Sequence, residues 1–224
     1  MGTHVLVLVL GCWVLGPCGA SSPLERPQLK SLVEPWVPVG QHLILQCLGP
    51  GPSFILHGNR SEPTVIAAKE FATFTIVATT AAAGVYTCSC QDPPGPPGPP
   101  SNPVEVVVTD PHLECPKLSL PPLQPLPVPQ GTNVTVVCKG PPRAAIFRLY
   151  RGGPAGIVGQ VGVSGGSASF SLQSPKQGAY VCTYSPEGGG VSLPSPPLLL
   201  LVEGEAATPK DPNWPGCSHW KGSY

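Results

Sequence analysis

The sequence predicts an all-β protein made of two tandem β-sandwiches, and three observations lead to this prediction. A five-residue pattern occurs twice, as Gly84–Cys88 and Gly178–Cys182, with a tyrosine two residues before the cysteine in each copy. Each copy has an upstream cysteine with which it can pair, Cys47 or Cys138. The 224 residues include 33 prolines and 27 glycines, and only 11% are charged. This composition is typical of β-structure with many turns and argues against long helices.

The tyrosine and cysteine of each copy share the inward face of one strand, because side chains alternate along a strand. Such a pair marks strand F of an immunoglobulin-like sandwich, where the cysteine reaches strand B. We therefore expect the disulfides Cys47–Cys88 and Cys138–Cys182. Their separations, 41 and 44 residues, leave little room for the extra strands of a variable-type domain. The sequence favours constant-like, seven-strand sandwiches.

The first domain is predicted over residues 26–109. Alternating apolar residues indicate strand B at His42–Cys47 and strand C at Phe54–Leu56. Phe74 and Ile76 belong to strand E, strand F is Val85–Cys90, and the β-branched run Val104–Thr109 closes the domain as strand G.

The second domain is predicted over residues 113–202 and repeats this order. Its inward residues are expected to be Val134, Val136 and Cys138 on strand B, Phe147 and Leu149 on strand C, and Phe170 and Leu172 on strand E. Leu198–Val202 is predicted to be the closing strand.

Both ends of the chain differ from the two domains. An apolar run followed by Cys18-Gly19-Ala20 predicts a secretory signal peptide over residues 1–20. Residues 203–224 are polar and are predicted to be a disordered tail. We expect no membrane span in this chain, because its apolar runs are shorter than about 20 residues. The sequence therefore predicts a secreted, extracellular protein whose cysteines form disulfides.

Three segments resemble one receptor family. Phe147–Gly153 is similar to a Phe-x-Leu-Tyr-Arg-x-Gly motif around strand C, while Pro100–Thr109 and Leu193–Leu198 are similar to the family's Pro-Ser-Asp-Pro-Leu-Glu-Leu-Val-Val-Thr ending. Phe54 and Phe147 stand where antibody domains have tryptophan. The chain thus resembles the leukocyte immunoglobulin-like receptor group, which includes the Fc-alpha receptor, glycoprotein VI, the osteoclast-associated receptor and alpha-1-B-glycoprotein.

The resemblance implies a protein that binds a protein ligand in immune regulation, through loops and the interdomain elbow near Asp110-Pro111-His112. Two alternatives stay open. One is a plasma carrier or scavenger of the alpha-1-B-glycoprotein type, and the other is a membrane receptor represented by a form without its transmembrane segment.

Three cysteines remain unassigned after the leader and the two domain disulfides. Strand G separates Cys90 from Cys115 by about 20 Å, which is too far for a disulfide. Cys90 is expected to be a small buried group. Cys217 has three alternatives: a disulfide with Cys115, a disulfide-linked dimer through Cys217, or a capped thiol.

Two sequons predict glycosylation, at Asn59 and Asn133. Asn133 is expected to face outward on strand B, and Asn59 is expected in a turn after strand C. The proline-rich stretch Pro93–Pro100 is predicted to form a stiff loop between strands F and G, serving either as a ligand contact or as a spacer.

The sequence argues against several classes of function. The chain has 12 basic and 12 acidic residues, so it lacks the positive charge that nucleic-acid binding requires. The histidines have no metal-ligand spacing, and no serine or cysteine is recognisably paired with a base. We therefore expect no catalytic, cofactor-binding or metal-binding residues. Arg143, Arg148 and Arg151 are interpreted as a solvated face rather than as a site.

Overall fold

The computed structural model describes residues 25–59, 63–122, 126–204 and Cys217. Within these ranges the chain forms β-strands and a three-residue 3-10 turn, Thr80–Ala82. The all-β prediction is confirmed. The predicted signal peptide, and the predicted tail apart from residues 203, 204 and 217, lie outside the described residues.

Eight strands come from the N-terminal part of the chain and form the N-terminal sandwich. They are β1 (Gln28–Ser31), β2 (Trp36–Pro38), β3 (His42–Leu48), β4 (Ser53–His57), β5 (Thr64–Ala67), β6 (Phe71–Val77), β7 (Gly84–Gln91) and β8 (Val104–Thr109).

Seven further strands form the C-terminal sandwich. They are β9 (Lys117–Ser119), β10 (Asn133–Lys139), β11 (Ala144–Arg151), β12 (Ile157–Gly162), β13 (Ser167–Gln173), β14 (Gly178–Pro186) and β15 (Leu198–Leu200). The last strand is shorter than the predicted Leu198–Val202, and Val202 instead makes an isolated parallel bridge with Val128.

Each sandwich has a three-stranded sheet facing a larger one. In the N-terminal sandwich the strand orders are β1-β3-β6 and β2-β8-β7-β4-β5, and in the C-terminal sandwich they are β13-β10-β9 and β12-β11-β14-β15. The neighbours are antiparallel, except that β2 runs parallel to β8. In each sandwich, the strand that follows predicted strand C (β5 or β12) joins a different sheet from the one expected.

The strand order differs from the expected constant-like arrangement. In a constant-type domain, the strand that follows strand C joins the sheet containing strands B and E. Here β5 pairs with β4, and β12 pairs with β11, so both strands stay in the sheet of strands C and F. The next strand starts after only residues 68–70 in one sandwich and residues 163–166 in the other. These connections have no room for a further strand.

Each sandwich encloses its own apolar core. In the N-terminal core the inward residues of β3, Leu43, Leu45 and Cys47, have no exposed surface, and Cys47 is bonded to Cys88. Phe54 of β4 and Phe74 of β6 complete this layer. On β3 and β6, buried side chains alternate with half-buried or exposed ones, which explains why the sequence pattern located both strands.

The C-terminal core repeats this packing. The inward residues of β10, Val134, Val136 and Cys138, are fully buried, and Cys138 is bonded to Cys182. Phe147 packs against Tyr184 with the ring centroids 5.9 Å apart. The aromatic ring at this position fills the centre of the core, where antibody domains have tryptophan.

Candidate functional site

A surface cleft of the C-terminal sandwich lies between the edges of its two sheets. Strand β12 ends one sheet and β13 ends the other, and each has a paired neighbour on one side only among the described residues. The cleft has a volume of about 520 Å³ and is lined by β12, by Ser169–Gln173 and by the turn after β13. It exists because the connection between β12 and β13 is too short to add a strand that would cover the gap.

Gly159 keeps the cleft open at its centre. It stands opposite Leu149 in the pairing of β12 with β11, and so it lies on the inward face. A Cβ atom added there would come within 3.3 Å of the Phe170 ring. Any larger residue at this position would therefore extend into the cleft or push the ring aside.

The described lining of the cleft carries positive charge. Arg151 and Lys176 are its ionisable cations, and Gln160, Gln173 and several serines supply neutral polar groups. No aspartate or glutamate belongs to this described lining. The cleft therefore offers cations and hydrogen-bonding groups to a ligand that carries acidic or backbone carbonyl oxygens.

The three arginines around strand β11 have different surroundings. Arg151 lines the cleft, whereas Arg143 lines a second depression of about 450 Å³ with Leu113 and Glu187. Arg148 donates hydrogen bonds to Gln160 Oε1 at 2.8 Å and Ser185 Oγ at 2.9 Å. The interpretation of all three as one solvated face missed this difference, because sequence spacing does not show which sheet edge is uncovered.

The two sandwiches contact each other through Trp36, which sequence analysis did not single out. Its ring lies perpendicular to that of Tyr150, with the centroids 4.9 Å apart, and Val181 and Val107 pack beside them. Burial raises the pKa of Tyr150, and the Arg148 guanidinium partly opposes this. Tyr150 is therefore neutral at physiological pH and suits an apolar contact.

The predicted elbow near Asp110-Pro111-His112 is joined to the segment before β15 by a backbone hydrogen bond and is closed by a bond to its own aspartate side chain. Asp110 N–H donates to Val191 O at 2.7 Å, and Asp110 Oδ1 accepts from His112 N–H at 2.9 Å. His112 itself is exposed. The elbow is thus an ordered turn with an accessible outer side.

The cysteine pairs have the geometry of ordinary disulfides. The Cα atoms of Cys47 and Cys88 are 6.3 Å apart, as are those of Cys138 and Cys182. Cys115 is bonded to Cys217, with a Cα distance of 5.8 Å. Of the three alternatives for Cys217, the structure thus favours the intrachain bond over a dimer through Cys217 or a capped thiol.

Cys90 has no disulfide partner and is completely buried in the N-terminal core. Burial raises the pKa of its thiol above the ordinary value. Its sulfur would be 3.0 Å from a Cβ atom added at Gly49, so it fills the space beside that glycine. Its position is that of a small apolar group rather than a reactive thiol.

The two sequon asparagines are exposed. Asn133 starts β10 with an exposed side chain, and Asn59 lies in the turn after β4. Asn59 Nδ2 donates a hydrogen bond to Ala83 O at 3.2 Å. Residues 60–62, which include Ser61 of the first sequon, lie outside the described residues.

The proline-rich loop continues the pairing of β7. Pro97 forms an isolated bridge with Gln91, and Gly98 N–H donates to Cys90 O at 2.7 Å. Gln91 Nε2 also donates to Gly95 O at 2.9 Å. The loop is therefore anchored at both ends on the N-terminal sandwich.

One histidine lies beside a serine, a pair that the sequence did not indicate. His57 Nε2 and Ser89 Oγ are 3.0 Å apart. Ser89 has only 2% of its surface exposed, so its hydroxyl is not accessible to a substrate. No cluster of three or more metal-ligating side chains occurs within the described residues.

Comparison with known proteins identifies two relatives. No family model matches the chain. It is 31% identical over 193 residues to platelet glycoprotein VI of Mus musculus, covering 84% of this chain and 60% of that protein. It is 28% identical over 224 residues to the osteoclast-associated immunoglobulin-like receptor of Homo sapiens, covering 92% of this chain and 78% of that protein. The resemblance to the leukocyte immunoglobulin-like receptor group is confirmed.

A solved structure of the ligand-binding domain of human OSCAR is also similar to this chain. The identity is 28%, the TM-score is 0.41, and the match covers 80% of this chain and all of that domain. The chain spans 60% of the length of the mouse glycoprotein. Within the described residues, no helix is both long and apolar enough to cross a membrane.

Proposed function

We propose that this chain is a secreted, glycosylated protein of two immunoglobulin-like domains that binds a protein ligand in immune regulation. The domains extend over residues 26–109 and 113–202, after a signal peptide at residues 1–20 and before a tail at residues 203–224. Asn59 and Asn133 carry the glycans. The chain acts by binding and not by catalysis, and it needs no cofactor.

The observation that carries this proposal is the cationic cleft between β12 and β13. A strand with a free edge offers backbone groups to an extended segment of another protein, and nearby side chains then select that segment. Arg151 and Lys176 favour a segment with acidic side chains. The relative named as an immunoglobulin-like receptor supports the same class of function.

The test is binding of the purified chain to leukocytes and to extracellular matrix, followed with a double variant of the cleft, Arg151→Ala with Lys176→Ala. We expect saturable binding by the natural chain and at least tenfold weaker binding by the variant, since two cation contacts are lost. The matched control is Lys117→Ala with Lys139→Ala. It removes the same charge from two exposed lysines that pair across β9 and β10 and do not belong to the described lining of the cleft.

Two outcomes would contradict the proposal. Equal loss of binding in both double variants would show that net charge, and not the cleft, attracts the ligand. Binding no stronger than that of an unrelated two-domain protein, together with a soluble serum partner that co-purifies, would instead support the plasma carrier.

A further inference from the structure

The disulfide between Cys115 and Cys217 differs from the other two in its accessibility. The cysteines of the Cys47–Cys88 and Cys138–Cys182 bonds have no exposed surface. Cys115 is partly exposed, although Cys217 is buried. Among the six bonded cysteines, Cys115 is therefore the one with the most surface open to a thiolate in solution.

This bond joins the interdomain linker to a position 102 residues further along the chain. Cys217 N–H donates to Pro194 O at 3.4 Å, and Cys217 Sγ lies 3.2 Å from the same oxygen. Cys217 thereby bonds covalently to the linker while it contacts the segment that precedes β15. The disulfide connects these two parts of the C-terminal sandwich.

Noncovalent contacts hold the same two segments together. Asp110 N–H donates to Val191 O, and Asp110 bridges Ser192. Leu113 lies near Gly190, where an added Cβ atom would be 3.7 Å from the leucine side chain. The covalent bond adds to a small set of contacts that fix the linker between the sandwiches.

We propose that Cys115–Cys217 is a reducible latch that controls the rigidity of the interdomain linker. A dithiol reductant, small or protein-borne, is the co-reactant. One of its thiolates attacks Cys115 Sγ, and the Cys217 thiolate leaves. Its second thiol then displaces the Cys115 thiolate. The chain gains two electrons and two protons as two thiols, and the reductant becomes a disulfide.

Opening the latch leaves both sandwiches folded, because their own disulfides and cores are unaffected. The linker from Asp110 to Cys115 then keeps its noncovalent contacts, which are the hydrogen bond to Val191, the approach to Gly190 and the packing of Leu113 against the C-terminal core. Local opening of that linker becomes more frequent, since fewer interactions oppose it. The latch thus connects the redox state outside the cell to the freedom of the two sandwiches.

The experiment treats the full chain with increasing dithiothreitol at neutral pH, alkylates the free thiols and maps them by mass spectrometry. We expect Cys115 and Cys217 to be alkylated at a reductant concentration at least tenfold below that needed for the other four bonded cysteines. Cys90 is the internal control for native structure and should stay unlabelled.

Hydrogen exchange then compares the oxidised chain, the selectively reduced chain and the double variant Cys115→Ser with Cys217→Ser. Exchange should rise at residues 110–116 and 190–195 in the reduced chain and in the variant, and stay unchanged in β3 and β10. Cys90→Ala is the control for loss of a cysteine outside this bond, because it adds no polar group to the N-terminal core. If the double variant does not fold, the selectively reduced natural chain still provides the comparison.

Two results would overturn the latch. One is reduction of all three bonds together, or of Cys115–Cys217 last. The other is selective reduction without faster exchange at residues 110–116, which would make the bond a passive link.

Discussion

At the scale of single residues, the two tyrosine corners explain why the repeated sequence pattern identified the fold. Tyr86 OH donates to Ala82 O at 2.7 Å, and Tyr180 OH donates to Lys176 O at 2.8 Å. The two bonds differ in their surroundings, because Ala82 is buried whereas Lys176 is exposed. Water can replace the lost hydroxyl at Lys176 but not at Ala82.

Replacing each tyrosine by phenylalanine should therefore destabilise the chain unequally. For Tyr86→Phe we expect the free energy of unfolding to fall by about 2 kcal/mol, since a buried carbonyl loses its partner. For Tyr180→Phe we expect a fall of about 1 kcal/mol, the usual net value of one hydrogen bond. Guanidinium unfolding of both variants measures the difference. Equal losses would mean that the Ala82 carbonyl is hydrated after all.

At the scale of strands, the sequence predicted elements with buried apolar residues or the repeated tyrosine–cysteine pattern, and it missed strands such as β5 and β12 that have neither. Strands B and E were located by the alternating apolar residues of β3, β6, β10 and β13, and strand F by its tyrosine and cysteine two residues apart. Strand β5 was missed because its side chains are all at least partly exposed, and β12 was missed for the same reason. These two strands carry little hydrophobic pattern.

Because β12 was not predicted, the sequence also did not predict the candidate cleft. Gly159 and Lys176 are 17 positions apart in the sequence, and nothing in their local spacing indicates that they line one depression. Their proximity depends on which sheet β12 joins, which is decided by the short connection to β13. Long-range pairing of this kind is not visible in the local pattern.

The turn after β4 gives a test at the scale of elements. A Cβ atom added at Gly58 would overlap the Tyr86 ring, which the corner hydrogen bond holds in place. Gly58→Ala should therefore lower the free energy of unfolding by about 1–3 kcal/mol, the usual cost of overpacking. Gly188→Ala is the matched control, because open space surrounds that position. Equal thermal stability of the two variants would show that Tyr86 can move aside.

At the scale of the whole molecule, the contact between the sandwiches is separate from both cores. Trp36, Tyr150 and Val181 form a cluster of their own, and Trp36 has 2% of its surface exposed. The indole Nε1 has no hydrogen-bond partner among the described atoms. The contact is therefore apolar, and its contribution comes from ring packing, which adds about 0.5–1.5 kcal/mol beyond area burial for an aromatic pair.

Removing this ring should loosen the arrangement of the sandwiches without unfolding them. For Trp36→Ala we expect small-angle X-ray scattering to give a larger radius of gyration, while the unfolding midpoints of the cores stay close to those of the natural chain. Trp36→Phe is the conservative control, because it keeps a six-membered aromatic ring against Tyr150 and removes the five-membered ring with its unpartnered N–H group. If Trp36→Ala leaves the scattering unchanged, the linker contacts from Asp110 to Cys115 fix the arrangement by themselves. Combining Trp36→Ala with reduction of Cys115–Cys217 then separates the contribution of the ring from that of the disulfide. When both are absent, the noncovalent linker contacts are the main restraint on the arrangement of the sandwiches.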